Sequence, residues 1–354
     1  MISFKNDYSE GMHPAILQAL AQHNHSQEEG YGLDQFSQTA CDLIQKQLQH
    51  PSSQVFLLSA GTQTNLVAIA SILRPFEACI AASSGHIATH EAGAIEATGH
   101  KILTVPTDDG KLTPSMIEPL LIQNSDEHTV SPKLIYISNP TEWGTVYSLD
   151  ELKRLYSFTN EHDLILYCDG ARLGQTLIHP DTPISLSDYA RYTDGFFIGG
   201  TKNGALLGEA LVLNRVTWHQ HLRCQLKQRG ALLAKGRLLG ITFSTFFTNE
   251  LYEKLARQAL ERAMQLRDGL LKLDISFRVE PSTNQLFPIL PHAVITLLQK
   301  DFGFYVWEPA TSEESVVRLM TSWASTPEQI ASFLASLEKA MQQQPTFLPT
   351  LNQF

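Results

Sequence analysis

The chain has 354 residues, 43% hydrophobic and 18% charged, enough for two packed units and unlike a disordered composition. Its 26 basic and 36 acidic side chains give a formal net charge of −10, a poor match to a phosphate backbone, so nucleic acid is disfavoured as a partner. No apolar run approaches the roughly 20 residues that span a bilayer, and no charged-then-apolar leader opens the chain, so no membrane association is expected.

Short apolar runs at 55–58, 102–105, 134–137, 164–168, 196–198 and 210–213 each end in a polar or glycine-containing turn. They read as buried strands of a mostly parallel sheet, with crossover helices such as 65–73 and 149–159 between them. From about residue 250 the pattern changes to a long amphipathic helix over 250–273, then short strands, then a last helix. Thr326 caps that helix, with Pro327 at its first position and Gln329 completing a capping box. The expected organisation is an N-terminal segment 1–26, a large α/β domain 27–246 and a smaller α+β domain 247–354. Cys41, Cys79, Cys168 and Cys224 lie far apart without C-x-x-C spacing and read as reduced core thiols in a cytoplasmic protein.

Ligands in such sheets collect at the carboxyl ends of strands, so four turns carry the functional reading. Ser59-Ala60-Gly61-Thr62 leads from a strand into a helix, where free N–H groups suit a single phosphate or simply make a helix start; it matches neither the P-loop nor the dinucleotide pattern. His86 offers a flat ring that could stack on a planar cofactor. Together with His90 and Glu91 it also leaves a zinc-dependent hydrolase open, although H-E-x-x-H is absent. Asp169-Gly170-Ala171-Arg172 follows an apolar run; its carboxylate could face a protonated ring nitrogen, or it is an ordinary Asp-Gly turn. Lys202 stands among Gly199, Gly200 and Gly204, placed to become a nucleophile if apolar neighbours strip its proton. A phosphate seat, a stacking ring, a carboxylate and an amine, in that order, are the parts that hold pyridoxal 5'-phosphate.

These residues also carry a family resemblance. The stretches Gly30-Tyr31-Gly32-Leu33-Asp34, Gly61-Thr62, His86-Ile87 with His90-Glu91-Ala92-Gly93-Ala94, and Thr141-Glu142-Trp143-Gly144 are the first part of it. Asp169-Gly170-Ala171-Arg172, Gly199-Gly200-Thr201-Lys202-Asn203-Gly204, Lys227-Gln228-Arg229-Gly230 and Arg318-Leu319 complete it. The chain resembles the low-specificity L-threonine aldolase and β-eliminating lyase group of pyridoxal-phosphate enzymes. The resemblance implies an aspartate-aminotransferase-like fold, with a three-layer large domain. It implies Lys202 as the Schiff-base lysine, Asp169 on the pyridine nitrogen, His86 against the ring, and Gly61, Thr62, Thr201 and Lys227 around the cofactor. Arg172 and Arg318 are implied at the substrate carboxylate, Asn6 near it, and Tyr31 in a segment that members bring to a subunit interface. Members are homodimers or homotetramers with shared sites.

The chemistry implied is cleavage of the Cα–Cβ bond of a β-hydroxy-α-amino acid, threonine or allo-threonine, to glycine and acetaldehyde. A base must take the hydroxyl proton, and Glu142 or a water held by His86 is the candidate. β-Elimination on the same scaffold is the nearest rival.

Overall fold

The computed structural model describes residues 1–219 and 222–343. The chain divides into two compact units, one running Glu10–Arg257 and the other joining Met1–Ser9 to the chain from Gln258 onward. These edges differ from the expected 27–246 and 247–354. The helix Pro14–Gln22 packs on the helix Arg237–Phe246, which makes it part of the larger unit. The other edge falls inside one continuous helix, Leu251–Lys272.

The larger unit is built on a seven-stranded sheet. Its order is Gln54–Leu58, Glu209–Leu213, Gly195–Gly199, Ile165–Asp169, Ser131–Ser138, Glu77–Ala82, Ile102–Val105. Only Glu209–Leu213 is antiparallel to its neighbours; the remaining pairings are parallel. Four of these strands are buried at every position, as expected for a sheet covered on both faces. The core includes Leu58, Val67, Ile69, Leu134, Tyr167 and Phe197. All six expected strands are present. Glu77–Ala82 has no counterpart among them, because Ala, Cys and a leading Glu make a weak β signal that only central placement overrides.

The smaller unit contains an antiparallel sheet in which Glu314–Met320 lies between Ile289–Pro291 and Tyr305–Pro309. Ile2–Ser3 pairs in parallel with Phe302–Gly303, so the chain start belongs here. Phe4, Phe302 and Phe333 form its aromatic centre, with Phe4 and Phe333 ring centroids 5.2 Å apart. The helix Pro327–Gln342 begins as its sequence indicates: Gln329 N–H donates to Thr326 Oγ1 at 3.3 Å, and Thr326 N–H to Gln329 Oε1 at 3.0 Å.

No helix among the described residues is long and apolar enough to cross a membrane. The four cysteines are unpaired, but they are not all core thiols. Cys79 and Cys168 are buried and Cys41 half-buried, whereas Cys224 is exposed on the short helix Leu222–Gln228.

Candidate active site

The strands Ile165–Asp169 and Gly195–Gly199 end side by side, and each is followed by one of the turns that the sequence singles out. Asp169 is the last residue of its strand, one position nearer the sheet than the sequence suggests. Gly199 N–H donates to Gly170 O at 3.0 Å, stitching the two turns together through the main chain. Glycine is required at both positions of that seam. A Cβ on Gly170 would lie 1.9 Å from Phe197 O, and one on Gly199 would lie 2.2 Å from Ala171 O.

Asp169 is buried and held by three donors. Its Oδ2 accepts from Asn65 Nδ2 at 2.9 Å and Tyr136 OH at 2.6 Å, and its Oδ1 accepts from Ala171 N–H at 2.9 Å. Burial, with the Asp169 charge next in importance, pushes the Tyr136 phenol well above its ordinary range, so Tyr136 stays a donor. Asn65 lies in the helix Gly61–Ile72, one turn beyond Gly61 and Thr62. The same Asn65 nitrogen donates to Glu91 Oε1 at 2.8 Å, and Glu91 Oε1 meets His86 Nδ1 at 2.8 Å. That carboxylate assigns a proton to His86 Nδ1 and leaves Nε2 as the outward nitrogen. The main-chain N–H of His86, not its ring, donates to Glu142 Oε1 at 2.9 Å, and Ser138 Oγ donates to the same oxygen at 2.7 Å. Burial raises the Glu142 carboxyl above its usual range. Asp169, His86 and Glu142 thus belong to one hydrogen-bonded network, joined by Asn65 and Glu91.

Asn65→Ala is expected to lower stability by about 2 kcal/mol, because it strips one donor from each of two buried carboxylates. The midpoint of urea unfolding checks this; an unchanged midpoint would show that the amide bridge contributes nothing.

Lys202 sits in the short 3-10 turn Thr201–Asn203. Thr201 Oγ1 donates to Glu209 Oε1 at 2.8 Å and Gly200 N–H to Glu209 Oε2 at 3.1 Å. Asn203 Nδ2 donates to Tyr252 O at 2.8 Å on the far side. Burial pushes the Glu209 carboxyl up to about 8, even though Thr201, Lys202 and Gly200 all favour its charged form. Asp169 acts on Glu209 in the opposite sense, which places the two carboxylates in one electrostatic environment.

Tyr31 and Lys227 form a separate pair within the larger unit. Lys227 Nζ lies 4.3 Å from the centroid of the Tyr31 ring, and Arg223 donates to Tyr31 O at 3.1 Å. Tyr31 adopts a positive φ of 60° and keeps its ring half exposed. Arg172 stands at the start of the short helix Leu173–Leu177, directly after the Asp169 turn. In the smaller unit, Asn6 Oδ1 accepts from Tyr8 N–H and Ser9 Oγ, closing a local turn. Arg318 donates to Lys5 O at 3.2 Å, and its guanidinium stacks 4.5 Å from the Trp307 ring centroid.

The zinc arrangement built on His86, His90 and Glu91 is not the one the fold makes. Among the described residues the cluster of potential ligand atoms is His86, Glu91 and Asp169, within 4.8 Å of one another, and His90 is outside it. Helix His86–Thr89 ends after four residues, and the His90 ring stacks parallel to that of His86 while its Nδ1 meets Thr89 Oγ1. Direct hydrogen bonds from His86 and Asn65 join the three groups, as expected of an organic site's framework.

A family model described as beta-eliminating lyase matches residues 6–292. The chain belongs to the beta-eliminating lyase family. Within that family's reach it is 45% identical to a threonine aldolase of Leishmania major of known structure, with a TM-score of 0.94 over 96% of this chain and 99% of that one. It is 29% identical over 343 residues to the low specificity L-threonine aldolase of Pseudomonas aeruginosa, covering 96% of this chain and 97% of the relative. The serine palmitoyltransferase of Sphingomonas wittichii shares the fold at 15% identity, with a TM-score of 0.71 over 96% and 87% of the two chains.

As a beta-eliminating lyase the chain is a pyridoxal-phosphate enzyme, and its residues fit that cofactor. The helix Gly61–Ile72 begins without a side-chain cap, leaving its first N–H groups available to a phosphate. The Asp169 carboxylate, with about four lone-pair sites, retains capacity for a ring N–H beyond its three donors. Asn65, Tyr136, Glu91 and Glu209 were outside the sequence reading of cofactor residues. Asn65 and Tyr136 carry no local signal, since their partners lie far away in the chain. Glu91 stands five residues from its partner His86, and Glu209, an acid directly ahead of the apolar run 210–213 and just past the lysine turn, is likewise visible in the sequence.

Proposed function

We propose that this chain cleaves the Cα–Cβ bond of L-threonine or L-allo-threonine, releasing acetaldehyde and leaving glycine. The observation that carries the reading is the single network linking Asp169, His86 and a half-buried Glu142 beside the strand end that leads into Lys202. When bound, pyridoxal phosphate supplies an electron sink for the bond broken at Cα.

The chain's own groups do the rest. Lys202 is the amine that anchors the cofactor. Asp169 holds a proton on the facing ring nitrogen, where the charge it stabilises develops during reaction. His86, whose Nδ1 is held by Glu91, would back the cofactor ring. Gly61, Thr62, Thr201 and Lys227 are assigned to the cofactor. Arg172 and, by resemblance, Arg318 and Asn6 are assigned to the substrate carboxylate; fixing it selects which bond at Cα is broken. Glu142 takes the proton from the substrate hydroxyl. Burial raises its proton affinity, the direction that strengthens a carboxylate as a base.

Incubation with threonine, with acetaldehyde read by coupled reduction, tests this. Equimolar glycine and acetaldehyde are expected; ammonia with a 2-keto acid would overturn the aldol reading in favour of β-elimination. We further infer a cytoplasmic homo-oligomer with shared sites, supported by the unpaired cysteines and the half-exposed Tyr31 over Lys227. Light scattering on the purified protein reads the oligomer directly, and a monomer would exclude shared sites.

A further inference from the structure

Glu209 has no part in the chemistry above, yet it is the group most intimately built into the lysine turn. It is the first residue of the antiparallel strand Glu209–Leu213, directly opposite Gly199 in register. Its two oxygens take the Thr201 hydroxyl and the Gly200 N–H, the two positions immediately before Lys202. The Thr201 hydroxyl oxygen also accepts from Gly208 N–H at 3.2 Å, so Gly208 and Glu209 both hold this one hydroxyl.

Closing a turn does not need an acid. Two acceptor positions can be filled by neutral groups, and ionising a carboxyl that is only 4% exposed costs free energy unless a cation offsets it. The groups that face Glu209 are Lys202, Asp169 and the phenols of Tyr167 and Tyr252. Of these only Lys202 is cationic. The neighbouring phenols are themselves pushed well above their ordinary range by burial, so they remain neutral.

We propose that Glu209 is a positioning residue for Lys202, anchoring the turn that carries the amine and, once its own carboxyl is ionised, acting as a counter-charge to it. The proposal rests on the reading that Lys202 holds the cofactor. Glu209 keeps the amine oriented while it is free and retains a proton close to it. An opposite charge beside an amine shifts its titration by about one unit or more, tenfold in the dissociation constant.

The test is Glu209→Gln, with Glu209→Asp as the charge-retaining comparison. The protein is stripped of cofactor, and acetylation of Lys202 is followed against pH by mass spectrometry of its peptide. The Gln variant is expected to show its midpoint about one unit lower than the native protein, with the Asp variant returning towards the native value. Native and Gln midpoints that coincide, with the circular dichroism of both preserved, would overturn the proposal. Should the Gln variant fail to fold, Thr201→Val keeps the charge and cuts the tether. Faster amide exchange confined to Gly200–Gly208 is then expected, and unchanged exchange there would overturn it. Borohydride reduction of the native holoenzyme separates the two readings. A Lys202 peptide without the cofactor's mass sinks the cofactor assignment, whereas the acetylation midpoints report on Glu209 alone.

Discussion

Lys202→Ala is expected to be colourless as purified and to lose threonine cleavage by about 10⁴-fold. The loss is chemical, because the turn keeps its other hydrogen bonds when the lysine side chain is removed. Gly200 and Thr201 remain tied to Glu209, Asn203 to the Tyr252 carbonyl, and Gly199 to Gly170 through the main chain. Native and variant proteins should therefore share a circular dichroism spectrum in the absence of cofactor, while differing in absorbance and turnover. Retention of the visible band, or turnover within tenfold of native, would remove Lys202 from its assigned role.

The second large effect is expected at Asp169. Asp169→Asn should retain bound cofactor but lower turnover by about 10² to 10³-fold, since an amide has no charge with which to hold the ring nitrogen's proton. Unlike the lysine change, this one also weakens the fold. Three donors converge on the carboxylate, two on Oδ2 and one on Oδ1. Whichever way the new amide turns, its NH₂ faces a donor, and the unmatched pair costs about 1–3 kcal/mol. Tyr136→Phe separates the two contributions, because it removes one donor and keeps the charge. If kcat falls as far in Tyr136→Phe as in Asp169→Asn, the charge of Asp169 is not what drives turnover.

The sheet was largely legible from apolar runs bounded by turns, and so were the two functional turns, because glycines flank Asp169 and Lys202 where the backbone crowds. Local chemistry announces itself in local sequence. Glu77–Ala82 escaped because small residues form a strand only when neighbours on both sides enforce it. Asn65 escaped for a different reason. It looks like one more polar residue in a helix, and its importance comes from reaching a carboxylate 104 positions away. The His86 and His90 pair misled in the opposite way: i, i+4 spacing suggests a shared ligand only if the helix continues, and this one stops at Thr89.

The main-chain bond between Gly199 and Gly170 has a consequence for how such an enzyme is altered. Because backbone contacts leave no space for a methyl group at either glycine, the span from acid to amine is dictated by peptide geometry and is deaf to side-chain replacement. Engineering that redirects this scaffold to other amino acids therefore has to act on peripheral side chains, with the electronic core kept as a constant chassis.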